Sequence, residues 1–294
     1  MTSSWRPGLN SLRSPLVWQR TTTMQNRRSS LEEQSQGEPG HDTFRDDGSG
    51  DVHEIHMQDL VAAMTVPCAL SLLMGTRTIT PDDFTPERNQ MKPKLLASML
   101  AIAPDGPTEE EKSAGAISRM RYLRFLDEST STASLGFRID AAKTVIGPAG
   151  ADSQPEKLPL PNGLTLAKLR EEADISTAFG VFLRNDAALA KAFLQKLEAL
   201  ASALNRSAFF PRHAFLRTTL LMVFDDTART SKVELKMMNF GDAYALPAGE
   251  QLDHTAAWDG SATSHADGYL IGVQSLIRIL KDLTTKLVTT TQKI

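Results

Sequence analysis

Leu189, Phe193, Leu197, Leu200 and Leu204 recur at the spacing of one helix face, and two apolar runs of strand length, Leu220 to Phe224 and Val233 to Met238, follow them. A chain patterned this way folds as α+β, because a helix buries a stripe at period 3.6 whereas a strand buries residues at period two. The helix is predicted to end near Asn205, and Asp225 and Asp226 supply the turn between the two strands. Leu270, Val273, Ile277, Leu280 and Leu287 predict a final helix, and Leu135 to Ile139 a short strand. Thr80-Pro81-Asp82-Asp83 reads as a helix start, with Thr80 as cap, Pro81 at the first helical position and acids in the first turn. Thr108 with Glu111 forms a capping box that opens a helix running toward Tyr122. Residues 147–163 carry four prolines and three glycines and are predicted to be a loop. The apolar stripes are read as core.

The first fifty residues carry no such pattern. Residues 1–30 contain Arg6, Arg13, Arg20, Arg27 and Arg28 and no acid, after which the sign reverses from Glu32 and Glu33 to Asp46, Asp47 and Asp51. With too few apolar side chains to offset the entropy of ordering, residues 1–50 are expected to be a disordered tail and residues 51–294 the folded domain. No strand is predicted before Val52. Three other readings of the tail stay open: an organellar transit peptide, from its Arg- and Ser-rich start; a calmodulin-type partner site around Trp5 and Trp18, which Pro7 and Pro15 interrupt; and a phosphorylation site at Arg27-Arg28-Ser29-Ser30. The net charge of -3 gives no drive toward nucleic acid or a membrane surface, so a polyanionic ligand would need a local basic pocket. The single cysteine, Cys68, excludes an intrachain disulfide and points to a reducing compartment, the cytoplasm or the nucleus. No apolar run reaches the roughly 18 residues of a membrane-spanning helix.

One segment carries chemistry. Val66-Pro67-Cys68-Ala69-Leu70-Ser71-Leu72-Leu73-Met74-Gly75-Thr76-Arg77-Thr78 resembles the signature P-x-x-x-D-x-K-x-G of inositol polyphosphate kinases, in the form P-C-x-L-D-x-K-M-G-x-R-T of the inositol-trisphosphate 3-kinases. Further similarities follow in that family's order: Pro107 to Lys112, Arg121-Tyr122, Leu135-Gly136-Phe137-Arg138-Ile139, Met237-Met238-Asn239-Phe240-Gly241, Leu252-Asp253-His254, Trp258 and Asp267-Gly268-Tyr269-Leu270. The resemblance covers roughly residues 55 to 287. It implies the C-lobe of an inositol polyphosphate kinase, related to protein kinases, with a helical substrate-binding insertion over residues 79–134. The N-lobe that such a kinase places ahead of its hinge is expected to be reduced or missing here.

The resemblance also implies a function and marks where this chain departs from it. The family transfers a phosphate from ATP, with Mg²⁺, to inositol 1,4,5-trisphosphate. Its hinge corresponds to Gln58, Asp59 and Leu60, which would receive the nucleotide. Its catalytic Asp and Lys correspond to Ser71 and Leu73, and its metal-holding Asp to Asn239. Ser71 is a poor base, Leu73 donates nothing, and Asn239 lacks the negative charge a hard cation prefers. Asp242 and Asp267 are the nearest acids that would substitute. His53 and His56 have helical spacing but no third metal ligand.

Arg121, Arg138 and Lys143 stand at the family's substrate-binding positions, with Lys92, Lys94, Arg119 and Arg124 as additions to the field. The family's second lysine is Thr144 and a further arginine is Leu126. Two functions remain open on these residues: an impaired ATP-dependent inositol-trisphosphate kinase, and a non-catalytic protein that binds inositol phosphates or a protein partner.

Overall fold

The computed structural model describes residues 41–45, 52–56, 59–144 and 158–291. Trp5, Trp18, the Arg27–Ser30 segment and Gln58 lie outside the described residues, as does 145–157, the larger part of the predicted loop. Strands β1 (His41–Arg45) and β2 (Val52–His56) pair antiparallel, with His41 opposite His56 and Arg45 opposite Val52. The sequence predicts no strand before Val52, and β1 corrects that. A hairpin rests on backbone pairing between its two strands and so can form where neither carries an apolar run.

Strand β3 (Pro67–Met74) holds the signature segment. The chain then enters the insertion with one 3₁₀ turn at Pro81–Phe84, where the backbone N–H and hydroxyl of Thr80 both donate to the Asp83 carboxylate. Strand β4 (Met91–Lys92), helix α1 (Pro93–Ile102), helix α2 (Glu109–Ala114), strand β5 (Ile117–Ser118), helix α3 (Arg119–Ser129) and the single turn α4 (Thr132–Leu135) complete it. β4 pairs with β5, and Leu96, Met99, Ile117 and Phe125 give the insertion a small core of its own.

The predicted capping box at Thr108 and Glu111 is present, but its helix stops short of Tyr122. Gly115, at φ 67°, turns the backbone left-handed and closes α2, and Ser118 caps α3 afresh.

The remaining elements are strand β6 (Phe137–Lys143), helices α5 (Glu172–Phe182) and α6 (Ala187–Arg206), strands β7 (His213–Phe215), β8 (Thr219–Asp225), β9 (Val233–Met238) and β10 (Ala243–Ala245), and helix α7 (Tyr269–Thr291). β6 starts two residues later than predicted, because Leu135 still belongs to α4 and Gly136, at φ 72°, makes the exit.

The main sheet is antiparallel, in the order β6-β3-β8-β9, and β7 pairs with β10 beside it. One face is the core. Cys68, Leu70, Leu72 and Met74 of β3, with Phe137, Ile139, Leu220, Met222 and Phe224, are buried in one cluster with Phe179, Phe182, Leu189, Phe193, Leu197, Val273 and Leu280 of α5, α6 and α7. Phe182 meets Phe224 edge-on at 5.3 Å between ring centroids. Each such side chain contributes about 1.5–3 kcal/mol by leaving water.

The entry to β6 is pinned against α7. A Cβ on Gly136 would lie 2.5 Å from the Gly272 nitrogen, and one on Gly272 would lie 2.2 Å from the Gly136 carbonyl oxygen. That same carbonyl accepts from Gly75 N–H at 2.8 Å, and Thr76 N–H donates to the Asp267 carbonyl at 2.7 Å. The two strand ends and the start of α7 therefore form one knot.

Candidate functional site

The second face of the sheet is where the signature residues lie. Residues two apart on a strand share a face, so Ala69, Ser71 and Leu73 point together, away from the core. Three rows cross the sheet. In the first, Arg138 on β6, Leu73 on β3, Thr219 on β8 and Met238 on β9 stand in register. The second runs Ala141, Ser71, Leu221, Lys236, and the third Lys143, Ala69, Val223, Glu234.

Strict alternation along β6 would put Arg138 and Lys143 on opposite faces, because they are five residues apart. The register slips between Ser71 and Leu72: Ser71 faces Ala141 while Leu72 faces Ile139, and Asp140 is left without a partner. This β-bulge resets the alternation and brings Lys143 onto the face that carries Arg138.

Asn239 follows β9 at φ 62°, a left-handed conformation that Asn tolerates better than most side chains, and its Nδ2 donates to Thr219 Oγ1 at 2.8 Å. It therefore joins the first row. Leu60, Val61, Met64 and Met238 pack against Ala69, Leu221 and Val223, so part of the expected hinge also reaches this face. Asp59 is exposed and accepts from Val61 N–H at 3.0 Å.

Arg138 is held from behind. Its Nη1 donates to Asp127 at 3.3 Å and to Thr132 Oγ1 at 3.2 Å, and Asp127 in turn accepts from Thr78 N–H and Oγ1, both at 2.7 Å. Burial pushes the Asp127 carboxyl up, and Arg138 opposes that shift. Lys143 has no ion-pair partner among the described residues, and burial lowers its ammonium pKa. Arg121 is placed elsewhere: its Nε meets Glu111 at 2.6 Å and its Nη2 meets the Gly106 carbonyl at 3.1 Å, which fastens α2 to α3 within the insertion.

Neither acid named as a substitute faces the rows free of other work. Asp267 is fully buried and accepts from His254 Nδ1 at 2.9 Å, Phe215 N–H at 2.9 Å and Tyr269 N–H at 3.0 Å. Asp242 pairs with Arg217 at 3.5 Å, and burial raises its pKa. Among the described residues no group of three or more His, Cys, Asp or Glu is arranged to hold a metal ion. The first row offers one neutral carboxamide whose amide already donates to Thr219. This donor set does not fit a magnesium ion, which takes carboxylate oxygen and is held poorly without it.

Sequence reasoning missed Arg217. It sits at φ 51°, strained for an arginine, and donates through Nε to the Thr78 carbonyl at 2.6 Å and through Nη2 to the buried carboxylate of Asp83. Arg119 Nε reaches the other oxygen of Asp83 at 2.8 Å. This network ties the end of β3, the insertion and the start of β8 together, and no periodicity announces it.

Burial raises the Asp83 pKa, but Arg217, Thr80 and Arg119 more than reverse this, leaving it below the ordinary carboxylate range. Its stabilising contribution is therefore complete above the unfolded pKa of about 4 and is lost as the pH falls through the lower folded value. Urea midpoints are expected to drop between pH 7 and about pH 3, and Asp83→Asn to flatten that dependence. An unchanged slope in the variant would remove Asp83 as its source.

A family model described as inositol polyphosphate kinase matches residues 54–281. The chain is 31% identical over 234 residues to inositol-trisphosphate 3-kinase A of Rattus norvegicus, covering 79% of this chain and 47% of that protein. It is 32% identical over 235 residues to an inositol-trisphosphate 3-kinase homolog of Caenorhabditis elegans, covering 79% and 43%. The chain thus spans less than half the length of either relative. A crystal structure of an inositol phosphate multikinase from S. cerevisiae in complex with ADP and Mn2+ superposes with a TM-score of 0.47 at 17% identity, covering 79% of this chain and 82% of that one.

Proposed function

The chain belongs to the inositol polyphosphate kinase family, and on that premise we propose that it binds an inositol phosphate on the outer face of the sheet, with transfer of phosphate from ATP lost or strongly slowed. The first row carries this reading. Arg138 supplies a fixed guanidinium for a phosphate, while Leu73, Thr219 and Asn239 supply no general base, no second cation and no anionic metal ligand. Phosphoryl transfer depends on positioning and on cancelling charge at the moving group, so a row stripped of charge keeps binding better than rate. Arg138 and Lys143 are the binding residues, with Arg121 acting at a distance by holding the insertion. The hinge segment, of which Asp59 and Leu60 are described, is the place for a nucleotide if one binds.

Titration calorimetry with inositol 1,4,5-trisphosphate in EDTA tests this. Binding is expected without a divalent cation, and Lys143→Ala and Arg138→Lys are each expected to weaken it about 10-fold or more, the scale of a lost charge-assisted hydrogen bond. Heat signals absent from the natural chain, or unchanged in both variants with melting temperatures intact, would overturn the assignment.

A further inference from the structure

The bulge residue Asp140 is a carboxylate that the sheet turns toward the proposed ligand beside Arg138. Its placement follows from three observations. It has no partner on β3, because the register passes from Ile139 to Ala141. Its Oδ1 lies 3.7 Å from Arg138 Nε, which puts it on the Arg138 face. Its side chain is 27% exposed, and at 3.7 Å the contact is an ion pair without a hydrogen bond, so its lone pairs stay available.

Arg138 is arranged to match. Its Nη1 is committed to Asp127 and Thr132 and its Nε faces Asp140, which leaves Nη2 to donate to a phosphate next to that carboxylate. A guanidinium edge with a carboxylate beside it recognises an anion with a neighbouring hydrogen-bond donor.

From this geometry we infer that Asp140 sets the specificity of the site: it accepts a hydrogen bond from a free ring hydroxyl adjacent to the phosphate held by Arg138, and it rejects a ligand phosphorylated at that hydroxyl. The inference rests on the inositol phosphate reading above. An ionised carboxylate accepts only, so a hydroxyl satisfies it. A phosphate in the same place sets like charges a few ångströms apart, where repulsion at a partly buried site is strong. Discrimination of this kind comes from the repulsive element as much as from the attractive one.

The test compares the full chain with Asp140→Asn, which keeps shape and one acceptor oxygen but removes the charge. Affinities for inositol 1,4,5-trisphosphate and inositol hexakisphosphate are measured side by side, with Lys143→Gln as a control that weakens both ligands alike. Asp140→Asn is expected to shift the affinity ratio toward the hexakisphosphate by 10-fold or more, with trisphosphate binding unchanged or weaker. A ratio that stays within about twofold while both ligands still bind would overturn the role of Asp140 and leave the ligand class standing. If neither protein binds either ligand, both readings fail.

Discussion

Restoring Ser71→Asp, Leu73→Lys and Asn239→Asp together is expected to raise phosphate transfer from radiolabelled Mg-ATP to inositol 1,4,5-trisphosphate by at least about 10²-fold over the natural chain. The family resemblance implies that the restored groups act as base, phosphate contact and metal ligand, and single transition-state groups of that kind are worth about 10²- to 10³-fold. They need not multiply, since groups acting as one unit are non-additive. The sheet makes the result specific. Ser71 and Leu73 are two apart on β3 and face the same way, so the new carboxylate and ammonium would stand side by side. Ser71 is only 5% exposed, so Ser71→Asp alone is expected to destabilise the fold and Leu73→Lys to relieve part of that loss, a coupling that a double-mutant cycle reads directly. At residue 239, Thr219 Oγ1 can turn from acceptor to donor for the new carboxylate. Turnover by the natural chain equal to that of the reverted one would place the chemistry on other residues and end the reading of impairment.

A loss of roughly 3–5 kcal/mol in folding stability is the expected result of Asp267→Ala, read as a fall in urea midpoint, because it leaves buried polar groups uncompensated. Three buried donors, His254 Nδ1 and the amides of Phe215 and Tyr269, converge on that carboxylate. His254 is itself locked from its other side, its Nε2 at 3.0 Å from the Phe210 carbonyl, and its ring stacks on Phe210 at 3.7 Å. Asp267→Asn keeps one acceptor and is expected to lose less. Ligand binding should fall with stability, since Phe215 leads through the strained Arg217 into the first row. A variant as stable as the parent would mean that water replaces the carboxylate without penalty.

The parts legible in the sequence are those whose side chains repeat. α6, α7 and the β8–β9 hairpin stand where Leu189 to Leu204, Leu270 to Leu287 and the two apolar runs put them, because each buries a regular stripe. Family order supplied Arg138, Lys143 and Asn239 as residues of one region. It gave no reason for Arg138 and Lys143 to share a face, since that depends on the unpaired residue Asp140; alternation alone would put Lys143 on the opposite face. Gly115, Gly136 and Arg217 were equally silent: each is a single left-handed residue whose effect on chain direction belongs to tertiary structure. Arg121 had the right neighbours in sequence, but Glu111 claims it through a contact ten residues away.

The glycine contact between Gly136 and Gly272 carries a consequence for the order in which the molecule is made. The strand that presents Arg138, Asp140 and Lys143 seats against a helix encoded more than a hundred residues later, and Thr76 waits on the carbonyl of Asp267 across a comparable gap. Contacts so distant in sequence form slowly. During synthesis, which proceeds from the N-terminus, the sheet edge that carries Arg138 therefore has to wait for residues near 270 before it can assemble. Until then the apolar side of β3, with Leu70, Leu72 and Met74, lacks the cover of α7. A change that loosens the glycine contact is expected to lengthen that exposed interval.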